Sequence, residues 1–185
     1  FLFNTLNSLS SLVMTGRNEK AEEMLLALCT FFRTSLSLDP SADVTLAEEI
    51  DLQRLYLDIE KVRFPSRLRV EIEIPKELES ARLPALILHP LVENAIKYGV
   101  SPTRERVTLR IEARNLGDHR FEIIITNSGR ADAPPAKDRG HTDSTGVGLT
   151  NVCQRLNARF GAQAKCEFGP LPNGGYQVHI ILPLD

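Results

Sequence analysis

Three side chains in the stretch Leu83-Pro-Ala-Leu-Ile-Leu-His-Pro-Leu-Val-Glu-Asn-Ala-Ile-Lys-Tyr-Gly99 combine the groups that magnesium-nucleotide chemistry asks for. Asn94 offers a neutral oxygen to a hard cation, Lys97 an ammonium to phosphate oxygens, and Glu93 a carboxylate able to orient a proton. They share one surface only if the segment is helical. Pro90 suits a first helical turn and Gly99 a left-handed stop, so the sequence predicts a short helix from about Pro90 to Tyr98. At about 100° per residue, Leu91, Val92, Ala95 and Ile96 lie on one side, and Glu93, Asn94, Lys97 and Tyr98 on the other. An ordinary surface helix with Glu93 and Lys97 paired four residues apart has the same pattern, and the helix alone does not separate the two readings.

Two further stretches bear on the same chemistry. Gly146-Val-Gly148-Leu149 leads into a helix with the stripe Leu149, Val152, Cys153, Leu156 and Phe160, stopped by Gly161. Glycines before a helix let backbone N–H groups approach phosphate, and the helix start adds partial positive charge. A dinucleotide fingerprint needs a third glycine and a P-loop needs Gly-Lys-Ser/Thr, and neither is here, so a plain helix entry remains the alternative. Thr126-Asn127-Ser128-Gly129 follows a strand, where the Asn127 amide and the backbone at Gly129 suit a purine amino group, but Asn-Ser-Gly is also a common turn. Between these stretches, residues from Arg130 to Thr145 are aperiodic and rich in turn formers, as in a lid or binding loop. Gly174-Gly175 reads as structural.

The elements that must position these groups fall into two regions. Phe1 to about Leu38 is helical, with Leu6, Leu9 and Val13, then Leu25, Leu28 and Phe32 in stripes interrupted at Gly16-Arg17-Asn18. After a turn at Asp39-Pro40-Ser41, the capping box Thr45-Leu-Ala-Glu48 opens a second arm with the stripe Leu52, Leu55, Ile59 and Val62. Such a hairpin cannot bury both stripes alone, so residues 1–66 are expected to pair with a second copy in a four-helix bundle, or else to pack on the rest of the chain. From Leu68 the period becomes two: Leu68, Val70, Ile72 and Ile74 alternate with charges, and Val107–Ala113, Phe121–Ile125 and Tyr176–Leu182 repeat the pattern. The fold class is thus α+β, a helical hairpin followed over 67–185 by an α/β sandwich with a mixed sheet and helices on one face.

With 185 residues and a net charge of −2, the chain has no basic runs of the kind that bind nucleic acid, and none of its apolar runs reaches the length of a membrane span. Cys29, Cys153 and Cys166 form no paired motif, which points away from zinc or a disulfide framework and toward a reduced, cytoplasmic setting. A first residue other than Met is what a fragment would have, and the remainder of such a protein could carry a membrane anchor.

The order of these features resembles the N, G1 and G2 boxes of the ATP-binding domain shared by histidine kinases, gyrase-type topoisomerases, heat-shock chaperones and mismatch-repair ATPases. Phe1-Leu-Phe-Asn-Thr-Leu-Asn7, Arg33-Thr-Ser-Leu36, Leu46-x-Glu-Glu49, Tyr56-Leu-x-Ile-Glu60, Arg63-Phe64 and Asn151-Val-x-x-Arg-Leu156 narrow it: the chain resembles LytS-type sensor histidine kinases over nearly its whole length. The resemblance implies a kinase core that binds ATP and Mg²⁺ and passes the γ-phosphoryl group to a histidine just before Phe1, then to an aspartate of a response-regulator receiver domain. It implies that Asn94 holds Mg²⁺, Glu93 polarises the accepting imidazole, and Lys97 touches phosphate. Asn127 and Gly129 would surround adenine, residues Arg130 to Thr145 would be the ATP lid, and Gly146 and Gly148 would line the triphosphate. Tyr98 and Leu149 complete the nucleotide set, and Arg155 is either a phosphate partner or a solvated charge. A homodimer through the N-terminal helices, no nucleic acid and no membrane contact by this stretch follow from the same resemblance. Where the wider superfamily has Asp, Asn127 keeps a hydrogen bond but loses its charge assistance, so weaker purine binding is expected. His89, His119, His141 and His179 do not match the acceptor position. A dimeric scaffold with a decayed ATP site is the alternative function.

Overall fold

The computed structural model describes residues 1–129 and 145–184, with the backbone alone at 145–147. The first helical arm is two helices, α1 (Leu2–Met14) and α2 (Asn18–Ser37). Gly16 at φ 72° takes the left-handed conformation that ends α1. There the Arg17 N–H reaches back to the Leu12 carbonyl (2.8 Å) and the Gly16 N–H to that of Val13 (3.1 Å), closing a Schellman motif. The interruption is therefore a chain reversal. Thr5, Ala21, Met24, Leu28 and Phe31 are buried, whereas Leu6, Val13 and Leu25 of the expected stripes are exposed, together with Leu2, Phe3, Met14, Leu26 and Leu36. α1 and α2 thus carry a second apolar face that the described residues leave exposed.

A short strand, β1 (Asp43–Thr45), leads into α3 (Leu46–Arg63). The capping box forms as expected: Glu48 N–H donates to Thr45 Oγ1 (3.2 Å), and Thr45 N–H to Glu48 Oε2 (2.7 Å). α3 is not an arm with one apolar stripe, because it touches α2, β1, the first sheet strand and the later helix of the site. Leu46, Ile50, Leu52, Tyr56, Leu57 and Ile59 are all buried, and so are Glu49, Gln53 and Glu60. One apolar cluster runs from Met24 through α3 to Leu182. For α3, packing within the same chain is the reading that holds.

The four expected strands are present as β2 (Leu68–Glu73), β4 (Val107–Gly117), β5 (Arg120–Asn127) and β7 (Tyr176–Pro183). Three more, β1 among them, were not anticipated. β3 (Arg82–Pro84) pairs with β1, and β6 (Lys165–Pro170) lies at the sheet edge. The sheet order is β2-β4-β5-β7-β6, parallel between β2 and β4 and antiparallel elsewhere, so it is mixed as expected. Leu109, Ile111, Phe121, Ile123, Val178 and Ile180 point inward against α4 (His89–Ala95) and α5 (Thr145–Phe160) and are at most 3% exposed. The other face is a ladder of ions, with Arg110 between Glu71 (2.6 Å) and Glu112 (3.2 Å) and His179 Nε2 on Glu122 (2.7 Å). Asp118 and His119, with φ 49° and 55°, form the two-residue turn between β4 and β5, which gives His119 a turn role. Among the described residues no helix is long and apolar enough to cross a membrane.

Cys153 on α5 and Cys166 on β6 are joined by a disulfide, Cα–Cα 5.5 Å, which corrects the expectation of reduced cysteines. Thirteen residues of sequence separation match no paired motif; the pair meets because α5 folds back onto the edge strand. Cys29 is free and exposed. Closing a loop of this size removes roughly 3 kcal/mol of unfolded-chain entropy. Urea unfolding should show the Cys153→Ser/Cys166→Ser variant less stable by about 2–3 kcal/mol, with a reductant lowering the wild type alone. Equal stability of the two proteins without reductant would refute the cross-link.

Candidate functional site

α4 has Pro90 in its first turn and buries Leu91, Val92 and Ala95, with Ile96 following, as the periodicity predicted. Glu93 and Asn94 are half-buried on the opposite side, Lys97 is exposed, and Tyr98 is half-buried. The Lys97 ammonium lies 4.9 Å from the centre of the Tyr98 ring. The helix does not stop at Tyr98: it widens into a π turn over Ile96–Val100. Gly99 sits inside that turn without a positive φ, so its expected role as a left-handed stop is incorrect.

Close approach is what requires Gly99. A Cβ there would fall 2.7 Å from Asn127 Cγ. Gly129 is also confined, less tightly, since its Cβ would lie 3.0 Å from the Gly99 carbonyl oxygen. On the third side Gly175, φ 97°, would place a Cβ 2.1 Å from the Asn127 carbonyl oxygen. Three glycines from three parts of the chain therefore enclose one asparagine, 6% exposed, at the end of β5. The turn reading of Asn127-Ser-Gly129 holds. Gly129 N–H donates to Asn127 Oδ1 (3.4 Å), while Ser128 extends the ladder by accepting from Thr108 N–H on its Oγ (2.9 Å).

At the glycine pair, the structure differs from the expected loop-then-helix. α5 already begins at Thr145, so Gly146 and Gly148 lie in its first turn. A Cβ on Gly148 would meet nothing within 4 Å, which leaves open space beside that turn. Leu149, Val152 and Leu156 are buried, so Leu149 offers the site only its backbone. Gly161, φ 56°, ends the helix as predicted. The lid expectation for Arg130 to Thr145, with His141, falls on residues 130–144, outside those described.

Arg155 is not the solvated charge of the two expected alternatives. Its Nη2 donates to the carbonyls of Ala85 (2.9 Å) and Pro40 (3.0 Å), tying α5 to the chain that enters α4. The sequence signal for this was the Asn151-Val-x-x-Arg-Leu156 motif itself. His89 is structural. Its ring packs against Tyr56 (4.9 Å) and Phe31 (5.2 Å), and Nδ1 lies 3.3 Å from Gln53 Oε1. Phe1 joins the same cluster, 5.1 Å from Tyr56. This aromatic group, which sequence reading did not assemble, brings the start of α1 beside the site.

Among the described residues no group of three or more His, Cys, Asp or Glu is placed to hold a metal. Mg²⁺ does not need one, since it takes one or two protein oxygens and fills its shell with phosphate and water. A single half-buried amide such as Asn94 fits that habit.

Burial holds the His89 imidazole below its ordinary value of 6.5, opposed by the Glu93 carboxylate. The fold therefore favours neutral His89. That stabilisation is present above the ordinary value and is lost as pH falls through the lowered one. Urea midpoints followed from about pH 7.5 to about pH 5 should fall more steeply for the wild type than for His89→Gln, and parallel curves would disprove the assignment. The glycines predict a contrast. Gly99→Ala should destabilise by about 1–3 kcal/mol through overpacking on Asn127, whereas Gly148→Ala in open helix should stabilise by about 0.5–1 kcal/mol. Chemical denaturation of the two variants checks both signs.

Comparison with known proteins adds the family. A model described as histidine kinase matches residues 1–68, and one described as histidine kinase-, DNA gyrase B- and HSP90-like ATPase matches residues 79–185. The chain is 39% identical over 183 residues to the sensor histidine kinase BtsS of Escherichia coli strain K12, covering 99% of this chain and 31% of that protein. It is 30% identical to the sensor histidine kinase/phosphatase LytS of Staphylococcus aureus strain MRSA252, covering 94% of this chain and 31% of the relative. The chain thus spans about a third of the length of these relatives. Among solved structures, the catalytic domain of the histidine kinase ThkA is similar in fold, with TM-score 0.53 at 19% identity over 77% of this chain and 96% of that one.

Proposed function

This chain belongs to the family of histidine kinase-, DNA gyrase B- and HSP90-like ATPases, and from that premise we propose that it is the kinase core of a LytS-type sensor. The core binds Mg-ATP and transfers the γ-phosphoryl group to a histidine just before Phe1 in the longer protein, from which a receiver-domain aspartate accepts it. The observation that carries the reading is the contact between Gly99, at the end of the α4 segment, and Asn127 at the end of β5. It joins the helix bearing Glu93 and Asn94 to the glycine-walled strand end in one site.

Asn127 and Gly129 take the adenine, and the backbone at Gly146, Gly148 and Leu149 the triphosphate, where the first turn of α5 favours negative charge. Lys97 and Tyr98 flank the phosphates. Asn94 would hold Mg²⁺, which when bound neutralises charge on the phosphate oxygens. Glu93 accepts a hydrogen bond from the attacking imidazole and so orients its free nitrogen toward phosphorus; as that N–P bond forms, the bond from phosphorus to the bridging oxygen breaks and ADP leaves. Phe1 against Tyr56, a tyrosine that also lies in the field of Glu93, supports delivery of the acceptor from the start of α1.

The uncovered leucines of α1 and α2 support pairing with a second copy through these helices, as a four-helix bundle requires. The core works in the cytoplasm as part of a membrane-anchored sensor. Isothermal titration with a non-hydrolysable ATP analogue tests the proposal: wild type should bind saturably, and Asn94→Ala should abolish the gain in affinity that Mg²⁺ brings, with its circular dichroism unchanged. Absence of saturable binding by the wild type would instead identify a scaffold with a decayed site.

A further inference from the structure

α4 is short, and its entry is held by groups far away in sequence. Leu88, the residue that caps it, makes no capping hydrogen bond with its side chain. Leu86, two residues earlier, has φ 61°, a left-handed conformation that a branched side chain avoids unless its surroundings impose it. The surroundings here are one carboxylate and one guanidinium. Glu49 of α3, fully buried, accepts the Leu86 N–H on Oε1 (2.5 Å) and the Leu88 N–H on Oε2 (3.0 Å). Arg155 of α5 takes the carbonyl of Ala85, whose own N–H donates to the Ala42 carbonyl (3.0 Å). One turn further along α3, Gln53 meets His89. Each polar backbone group used here, from Ala85 to Leu88, is gripped from outside the segment.

We propose that Glu49 and Arg155 are positioning residues that clamp residues 85–88 and thereby fix the direction in which α4 presents Glu93 and Asn94. They account for two motifs that the nucleotide site does not use, Leu46-x-Glu-Glu49 and Asn151-Val-x-x-Arg-Leu156. A carboxylate suits the task because it has two acceptor oxygens and no donor, matching two N–H groups that diverge around a left-handed residue. A guanidinium suits the other side because its planar donors are fixed in direction. Burial raises the Glu49 carboxyl above its ordinary range, and the backbone N–H groups and Arg155 oppose that rise. Neither residue is among those assigned above to the nucleotide. A clamp that spans α3, α4 and α5 also makes the placement of Asn94 depend on both helices that flank it.

The proposal rests on the nucleotide-binding reading for its functional consequence, and the test separates the two. In Glu49→Gln one oxygen becomes an NH₂ that opposes a backbone N–H, so one grip is lost with little change of volume. Hydrogen exchange of this chain should rise at least tenfold at Leu86, Leu88 and across α4, with β4 and β7 unchanged. The gain in affinity for a non-hydrolysable ATP analogue on adding Mg²⁺ should shrink at least tenfold, while affinity without Mg²⁺ changes less than twofold. Arg155→Lys should fall between wild type and Arg155→Ala in both readouts, which keeps the test open should Glu49→Gln fold poorly. Wild-type exchange in α4, or a lower melting temperature with the Mg²⁺ gain intact, would overturn the clamp. If wild type shows no Mg²⁺ gain, the nucleotide reading fails, and the exchange data alone then decide whether the clamp exists.

Discussion

The constraint that joins α4 to β5 is steric. The backbone of the π turn after α4 passes over the end of β5 at a distance that excludes any side chain at residue 99. A methyl group at Gly99 or Gly175 would overlap Asn127, and one at Gly129 would crowd the Gly99 carbonyl and the Asn127 amide. Helix, strand end and the turn before β7 can therefore meet only where residues 99, 129 and 175 carry no side chain of their own. That meeting brings the helix of Glu93 and Asn94, the Asn127–Gly129 strand end and Gly175 into one contact. Widening α4 into a π turn is consistent with this, because such turns re-aim a helix end where a straight α-helix would not reach.

Around that contact the interior is more polar than its apolar cluster suggests. α3 buries Glu49, Gln53 and Glu60, and each is answered: by backbone N–H groups, by His89, and by Arg63 at 2.6 Å. No buried side-chain nitrogen or oxygen among the described residues lacks a partner. Buried ionic groups add little net stability over apolar ones of the same shape, but removing one partner is costly. Such an arrangement defines direction more than it adds strength. Here the directions defined are those of α4 and of the chain leading into it.

The legible parts of the sequence were those with a strong period or a capping signal. The inward face of α4, the four alternating strands and the Thr45 capping box were readable because each depends on local spacing. What escaped depended on contacts between distant residues. Gly99 looked like a helix stop because glycine serves both ends, and only the position of Asn127 distinguishes close approach from a positive φ. β6 was missed because Lys165-Cys-Glu-Phe-Gly-Pro170 has little alternation and is mostly exposed as an edge. At Gly16 the sequence marks an interruption, yet nothing local specifies that two helices fold against each other. The disulfide and the carbonyl grip of Arg155 likewise join residues that no spacing rule connects.

The margins of the sheet bear on how copies of this chain can meet. β2 and β6 are its outermost strands; the first carries Arg69 and Glu73, and the second carries Lys165 and Glu167 and closes on Pro170. Charged and proline-bearing borders discourage a neighbour from adding a strand. Lateral growth into a continuous β-layer is therefore disfavoured at both rims, though Phe168 on β6 is exposed, and among the described residues most of the greasy ground left for self-recognition is helical. The same molecule that leaves leucines bare on α1 and α2 thus protects itself from the commonest route to fibrous aggregation.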